Sequence, residues 1–284
     1  MASSNSNPIS ESSASRSQVS RSSQAAAWYR PTFSPEHGVY VVLVVSFLTG
    51  AAAAQQWTWT TTLALICAFT GFQAEHPLVL QIKQRRSWKP RFLVWGGIYA
   101  GISLGIAGYL CLQVPLLLWL YLGAIVAGAI DGISVFYRQQ KSVSNELLTF
   151  AAVCLAAPFA YLSTSGTLVN SVLGLWLLNT LFFGSAIFTV KLRKPKTESL
   201  LPGLVYHAIA SLVIGGLWYW GWLAPITALA FGVVLLKFGF IVGRREWYQT
   251  TQIQNVAFLE TFSALLFLAI AAISLLPAHL PPAV

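Results

Sequence analysis

The sequence predicts an all-α integral membrane protein of nine transmembrane helices, with its N-terminus in the cytoplasm and its C-terminus outside. Three observations carry this expectation. Apolar residues make up 56% of the 284-residue chain and charged residues 9%, whereas a soluble domain carries about 25% charged residues. Apolar stretches recur at close to the ~20 residues that a helix needs to cross a bilayer. Basic residues gather in alternate connectors, as the positive-inside rule requires of a chain that crosses repeatedly.

Residues 1–30 differ from everything that follows. They are rich in Ser, carry Arg16, Arg21 and Arg30, and include one acid, Glu11. Such a segment buries too little apolar surface to fold alone and lacks the apolar core of a secretory signal. It reads as a disordered cytoplasmic tail; its Ser- and Arg-rich, acid-poor composition is also that of an organelle transit peptide. Residues 31–284 read as one polytopic domain, with helices at about 37–54, 57–74, 92–112, 114–135, 146–163, 168–190, 201–220, 223–242 and 256–276. Ser34-Pro35-Glu36 makes a sensible start for the first: a hydroxyl cap, Pro at the first helical position, and an acid near the positive dipole end. Asn255 is placed to cap the last. Gln55-Gln56 and Gln113-Val114-Pro115 are short enough to force antiparallel hairpins.

Charge tests the count. Basic residues fall in the tail, then at Lys83 to Arg91, at Arg138 and Lys141, at Lys191 to Lys196, and at Arg244 and Arg245; the intervening connectors contain no Lys or Arg. A miscounted helix would scramble that alternation downstream of the error. The formal charge of +9 is therefore spread over connectors that set orientation and meet anionic headgroups. No single basic face forms, so nucleic acid is excluded as a partner. Trp57, Trp59 and the Trp218-Tyr219-Trp220 cluster suit an interfacial belt. Cys67, Cys111 and Cys154 form neither a CxxC nor a Cys/His cluster, so no disulfide framework or metal site is expected. Gly97, Gly101 and Gly105 make a small-residue stripe suited to helix packing.

Ionisable groups inside spans are costly and mark functional positions. Here they share the cytoplasmic half: Glu36 and His37 open the first helix, Glu75 and His76 close the second, and Asp131 lies about two turns before the end of the fourth. Arg138 follows it by seven residues, on the same face. Glu146 opens the fifth helix, Asn179 lies deeper in the sixth, His207 enters the seventh, Lys237 sits in the eighth and Glu260 in the ninth. The outer half is almost free of such groups, which disfavours a continuous ion path. A chamber open to the cytoplasm or inner leaflet is favoured instead, fitting a ligand with a polar head and an apolar tail. Asp131 and Glu260 each need a partner, drawn from Arg138, Lys237 or His207. No Walker-type loop, GxSxG or HExxH occurs.

Pro35-Glu36-His37-Gly38 followed by Gly50, then Pro77-Leu78-Val79-Leu80 with the basic run through Arg85-Arg86, then Arg138 with Ser144-Asn145-Glu146-Leu147-Leu148, resemble the YwiC-like family of bacterial membrane proteins over residues 31–275. That resemblance implies no reaction. It implies a bacterial inner membrane, with a thylakoid or organelle membrane as the alternative. The layout of nine helices is also similar to that of the UbiA-type intramembrane prenyltransferases. Those enzymes hold Mg²⁺ with Asp-rich motifs after helices two and six, where this chain reads Gly71-Phe72-Gln73-Ala74-Glu75-His76-Pro77 and Ser185-Ala186-Ile187-Phe188-Thr189-Val190-Lys191. With one acid in the first stretch and none in the second, the ordinary two-motif mechanism is not supported.

The expectation is thus a membrane pocket protein that binds an isoprenoid, quinone or lipid-like amphiphile, with the bilayer as its surroundings and its cofactors unassigned. A transferase modifying that ligand would use Glu75, His76 and Asp131 for acid–base work. His37, Arg138, Glu146, Asn179, Lys191, His207, Lys237 and Glu260 would bind the substrate, with Glu75 and His76 on one wall, Asp131 and Glu146 on another, and His207 and Glu260 closing the ring. The alternatives are a small-solute or ion transporter and a non-catalytic assembly factor for a membrane complex.

Overall fold

The structure is a computed structural model and describes residues 31–84, 88–193 and 199–276. The tail, Arg85, Arg86, Lys194, Lys196 and His279 lie outside the described residues. The helices are α1 (His37–Ala54), α2 (Trp59–Lys83), α3 (Pro90–Gln113), α4 (Leu117–Phe136), α5 (Val143–Cys154), α6 (Ala156–Ser165), α7 (Asn170–Lys191), α8 (Leu201–Tyr219), α9 (Pro225–Leu229), α10 (Gly232–Gly243), α11 (Arg245–Thr250) and α12 (Ile253–Ser274). Among the described residues nine segments are long and apolar enough to cross a membrane: α1 to α4, α5 with α6, α7, α8, α9 with α10, and α12.

The helix starts follow local chemistry. Thr58 caps α2 by a reciprocal box: its hydroxyl accepts from Thr61 N at 3.3 Å, and the Thr61 hydroxyl accepts from Thr58 N at 3.0 Å. Ser142 caps α5 by accepting from Asn145 N at 3.3 Å. Pro90 and Pro225 stand at first helical positions, where a missing N–H costs nothing. Two expected caps differ. α1 begins one residue beyond the Ser34-Pro35-Glu36 run, and Glu36, not Ser34, is its cap residue. α12 begins at Ile253, which puts Asn255 inside the first turn.

Two spans are broken and one is longer than the hydropathy suggested. Pro158 has no N–H to give the carbonyl four residues back, and the chain between α5 and α6 turns at Leu155. Between α9 and α10, Ala230, Phe231, Val233 and Val234 donate to carbonyls three residues back, a tightened 3₁₀ stretch. α2 runs on to Lys83 through Pro77 because Leu78, Val79, Leu80 and Ile82 extend its apolar surface. Glu75 and His76 therefore sit about two turns inside α2 and do not end it.

Chain order alternates the spans, so the connectors with Lys and Arg share one end of the bundle, the basic end, and the uncharged connectors share the other. Contacts between helix ends agree: Gln55 Nε2 donates to Leu275 O at 3.3 Å at the uncharged end, and Arg193 Nη2 donates to Thr251 O at 2.5 Å at the basic end. α1 is the central staff, packing on α5, α6, α7 and α12. Its Leu43 and Phe47 enter one core with Ala64, Leu110, Leu117 and Leu162; its Val42 and Val45 enter another with Leu178, Phe182, Phe231 and Phe267. A Cβ at Gly50 would run into the carbonyl of Ala157, so only glycine lets α1 lie this close to α6. The Gly97, Gly101 and Gly105 stripe is not used within the chain: it is exposed, and α3 meets α2 through Gly71, Gly96 and Ser103.

Candidate functional site

A half-enclosed slot of about 240 Å³ opens between α2 and α4, backed by the break between α5 and α6. One face of each helix builds it. On α4 the lining residues are Leu120, Tyr121, Ala124, Ala127, Gly128 and Asp131, a spacing of one, three, three, one and three that keeps them on one side. On α2 they are Cys67, Ala68, Gly71, Phe72 and Glu75. Small residues make the room, since no side chain at Ala124, Ala127 or Gly128 reaches across. The eleven steps from Leu120 to Asp131 correspond to about 16 Å along the axis, roughly half the ~30 Å hydrocarbon thickness. The slot is therefore a narrow apolar channel along the membrane normal, with both acids towards its basic end.

The two acids have unlike surroundings. Asp131 Oδ1 accepts from Asn145 Nδ2 at 2.6 Å, and Asn145, buried at the start of α5, also donates to Gln140 O at 3.3 Å. Glu75 forms no hydrogen bond or ion pair with any described residue, and the charges acting on it are those of Asp131 and Glu36. Nearer the uncharged end Ser103 Oγ donates to Cys67 O at 3.0 Å, and the Tyr121 hydroxyl approaches Cys67 Sγ at 3.7 Å. These hydroxyls are satisfied within the protein, which leaves the carboxylates as the slot's open polar groups.

The remaining candidates do not join one ring. Glu146, in the first turn of α5, pairs with Lys191 of α7 at 3.0 Å, each about a third exposed. Lys237 of α10 is buried and pairs with Glu260 of α12 at 2.7 Å, while Thr189 Oγ1 donates to the other Glu260 oxygen at 3.4 Å. His207 is buried beside them, stacked on Phe238 at 4.0 Å between ring centres, with Nδ1 2.7 Å from Gly203 O and Nε2 unpartnered among the described residues. Tyr248, on the short α11 that underlies this cluster, is fully buried, and burial with Glu260 nearby pushes its phenol up to about 12. Asn179 donates to Thr49 Oγ1 at 3.0 Å and to Leu175 O at 2.8 Å, tying α7 to α1. His37 and Arg138 are exposed, and His76 lies outside the slot lining.

Asp131 therefore finds its partner in Asn145, not in Arg138. α4 ends at Phe136, and Arg138 sits beyond it with φ 61°, turned off the Asp131 face. Glu260 takes Lys237, one of the three partners its position allowed. The slot residues that charge-based reading passed over are Tyr121, Cys67 and Gly128, with Asn145 behind them as the partner of Asp131. Their signal is the alignment of small residues on α4 with an acid at its end. Among the described residues no group of three or more His, Cys, Asp or Glu is placed to hold a metal ion.

No curated protein and no solved structure matches this chain. The family model that does match is that of the YwiC-like protein family, over residues 33–161, a segment that takes in α1 to α5, most of α6 and every residue lining the slot.

Proposed function

We propose that the slot between α2 and α4 binds the head and first part of the tail of a membrane-soluble amphiphile. The observation that carries this reading is the slot itself: apolar walls along the membrane normal, half enclosed, with Glu75 and Asp131 at one end. Binding sites are concave and mostly apolar, with a few placed polar groups to fix orientation, and this cavity has that character. By the positive-inside rule the basic end faces the cytoplasm of a bacterial inner membrane. The ligand's head then lies in the cytoplasmic half, in a bundle whose layout resembles the UbiA-type enzymes without their Mg²⁺ motifs. Residues 31–284 act as one membrane domain carrying this site, and residues 1–30 as its tail. Glu75 and Asp131 are the groups positioned to exchange a proton with a bound head group; His76, outside the lining, is not.

Transport is the second reading, and one feature favours it. Discontinuous helices line the binding sites of many carriers, and the break at Leu155 lies in the slot wall.

Extraction of the small molecules that accompany the full chain in mild detergent tests the binding reading. The wild type should carry an amphiphile that Gly128→Leu loses, because a Cβ at Gly128 meets nothing within 4 Å and a leucine there fills the slot. Identical extracts from both proteins would reject it.

A further inference from the structure

Resting on that reading of the slot, we propose that its ligand is a single-chain amine: an ammonium head joined directly to an apolar tail, with the ammonium between Glu75 and Asp131. Among the described residues the lining contains no Lys, Arg or His, and its charged side chains are both carboxylates. This is unexpected in a chain of net charge +9. The described cations that sequence places near the slot's mouth do not line it. Lys83 and Arg138 are exposed and outside the lining, and Lys191 is taken by Glu146 at 3.0 Å. Asp131 spends one oxygen on Asn145. Its second oxygen and both of Glu75 are acceptors that no described hydrogen bond uses.

Two carboxylates in an apolar channel interact with a cation far more strongly than they would in water. An ammonium brings three donors and no acceptor, which matches acceptors in need of donors. A carboxylate that opens onto an apolar channel at bilayer depth requires a partner, and the protein supplies none to Glu75 among the described residues. The same electrostatics argue against the other heads. A diphosphate or carboxylate would meet like charge. A quinone offers carbonyl acceptors to carboxylate acceptors. A phosphatidylethanolamine has the right ammonium, but its phosphate lies two carbons away and would follow it into the acidic end, where no described lining residue is a cation. The tail is constrained too: about 240 Å³ holds about eight groups of water or methylene size at ~30 Å³ each. The slot thus takes the head and a short run of chain, and the remainder lies among lipid tails.

Calorimetric titration of the detergent-solubilised full chain at pH 7 with decylamine, decanol, decanoate and phosphatidylethanolamine separates these cases, because the three single-chain probes have tails of equal length. Decylamine should bind at least about tenfold more tightly than decanol, and decanoate and phosphatidylethanolamine more weakly still. Glu75→Gln and Asp131→Asn should each erase most of the preference for amine over alcohol, weakening decylamine far more than decanol. Gly128→Leu should abolish binding of decylamine and decanol alike. Decanol, decanoate or phosphatidylethanolamine binding as tightly as decylamine, or a preference that survives Glu75→Gln, would overturn the amine assignment while leaving the slot as a binding site. Equal binding of every probe by wild type and Gly128→Leu would remove the slot reading itself.

Discussion

The two sides of α1 treat charge within the spans in opposite ways. On the side of α7 to α12, Lys237 and Glu260 lie within 2.7 Å, Thr189 adds a hydroxyl, and aromatic rings close over the group. On the side of α2 to α6, Glu75 has no hydrogen-bonding or ion-pair partner among the described residues and faces open space. Packing differs in the same sense: 44% and 28% of the spans that carry Lys237 and Glu260 are buried, against 22% and 11% of those that carry Glu75 and Asp131. Charges that serve the fold are paired and sealed. Charges left unpaired beside a cavity, in a weakly packed helix, are what a ligand site requires, because stability alone would have filled the gap or neutralised the acid.

Substitutions sharpen that contrast, beginning with the joint between the sides. Gly50→Val should cost about 3 kcal/mol or more, since its side chain meets backbone that cannot move aside; loss of monodisperse protein in size-exclusion chromatography would show it. Lys237→Ala should destabilise by about 3 kcal/mol by stranding Glu260, seen as a fall in the thermal unfolding midpoint in detergent, and Lys237→Met with Glu260→Leu should recover most of that loss. Asp131→Ala should cost about 1–2 kcal/mol, the price of an unanswered Asn145 donor, on the same thermal assay. Lys191→Ala should cost less than about 1 kcal/mol, because its pair with Glu146 is partly exposed. Smallest of all, Glu75→Gln should change the midpoint by no more than about 0.5 kcal/mol or raise it, as no folded-state interaction is lost. A Glu75→Gln protein as unstable as Lys237→Ala would erase the difference between the two sides.

Much of the architecture was legible because bilayer thickness and positive-inside asymmetry act on whole segments. Nine apolar runs survive errors of several residues at their ends. The end of α2 was misplaced because Glu75, His76 and Pro77 together imitate a helix stop; the apolar residues from Leu78 to Ile82 that carry the helix onward are visible only when the acid is read as a slot residue. The break at Leu155 has a sequence cause in Pro158. The break at Ala230 has none so plain. Acids and bases announced themselves by type, yet type could not distinguish Lys237 and Glu260, which pair across α10 and α12, from Glu75 and Asp131, which line a cavity. That distinction depends on which helices become neighbours. Residues whose contribution is absence of bulk, Ala124, Ala127 and Gly128, leave little trace in a reading that looks for charge.

The most direct test of the central claim is a cryo-electron microscopy map of the full chain in lipid nanodiscs, with a bound antibody fragment to aid alignment. It should show elongated density along α4 from Tyr121 to Asp131, with its head between Asp131 and Glu75. A map in which α4 closes onto α2, packing Tyr121 against Phe72 and leaving no space for a ligand, would contradict the account.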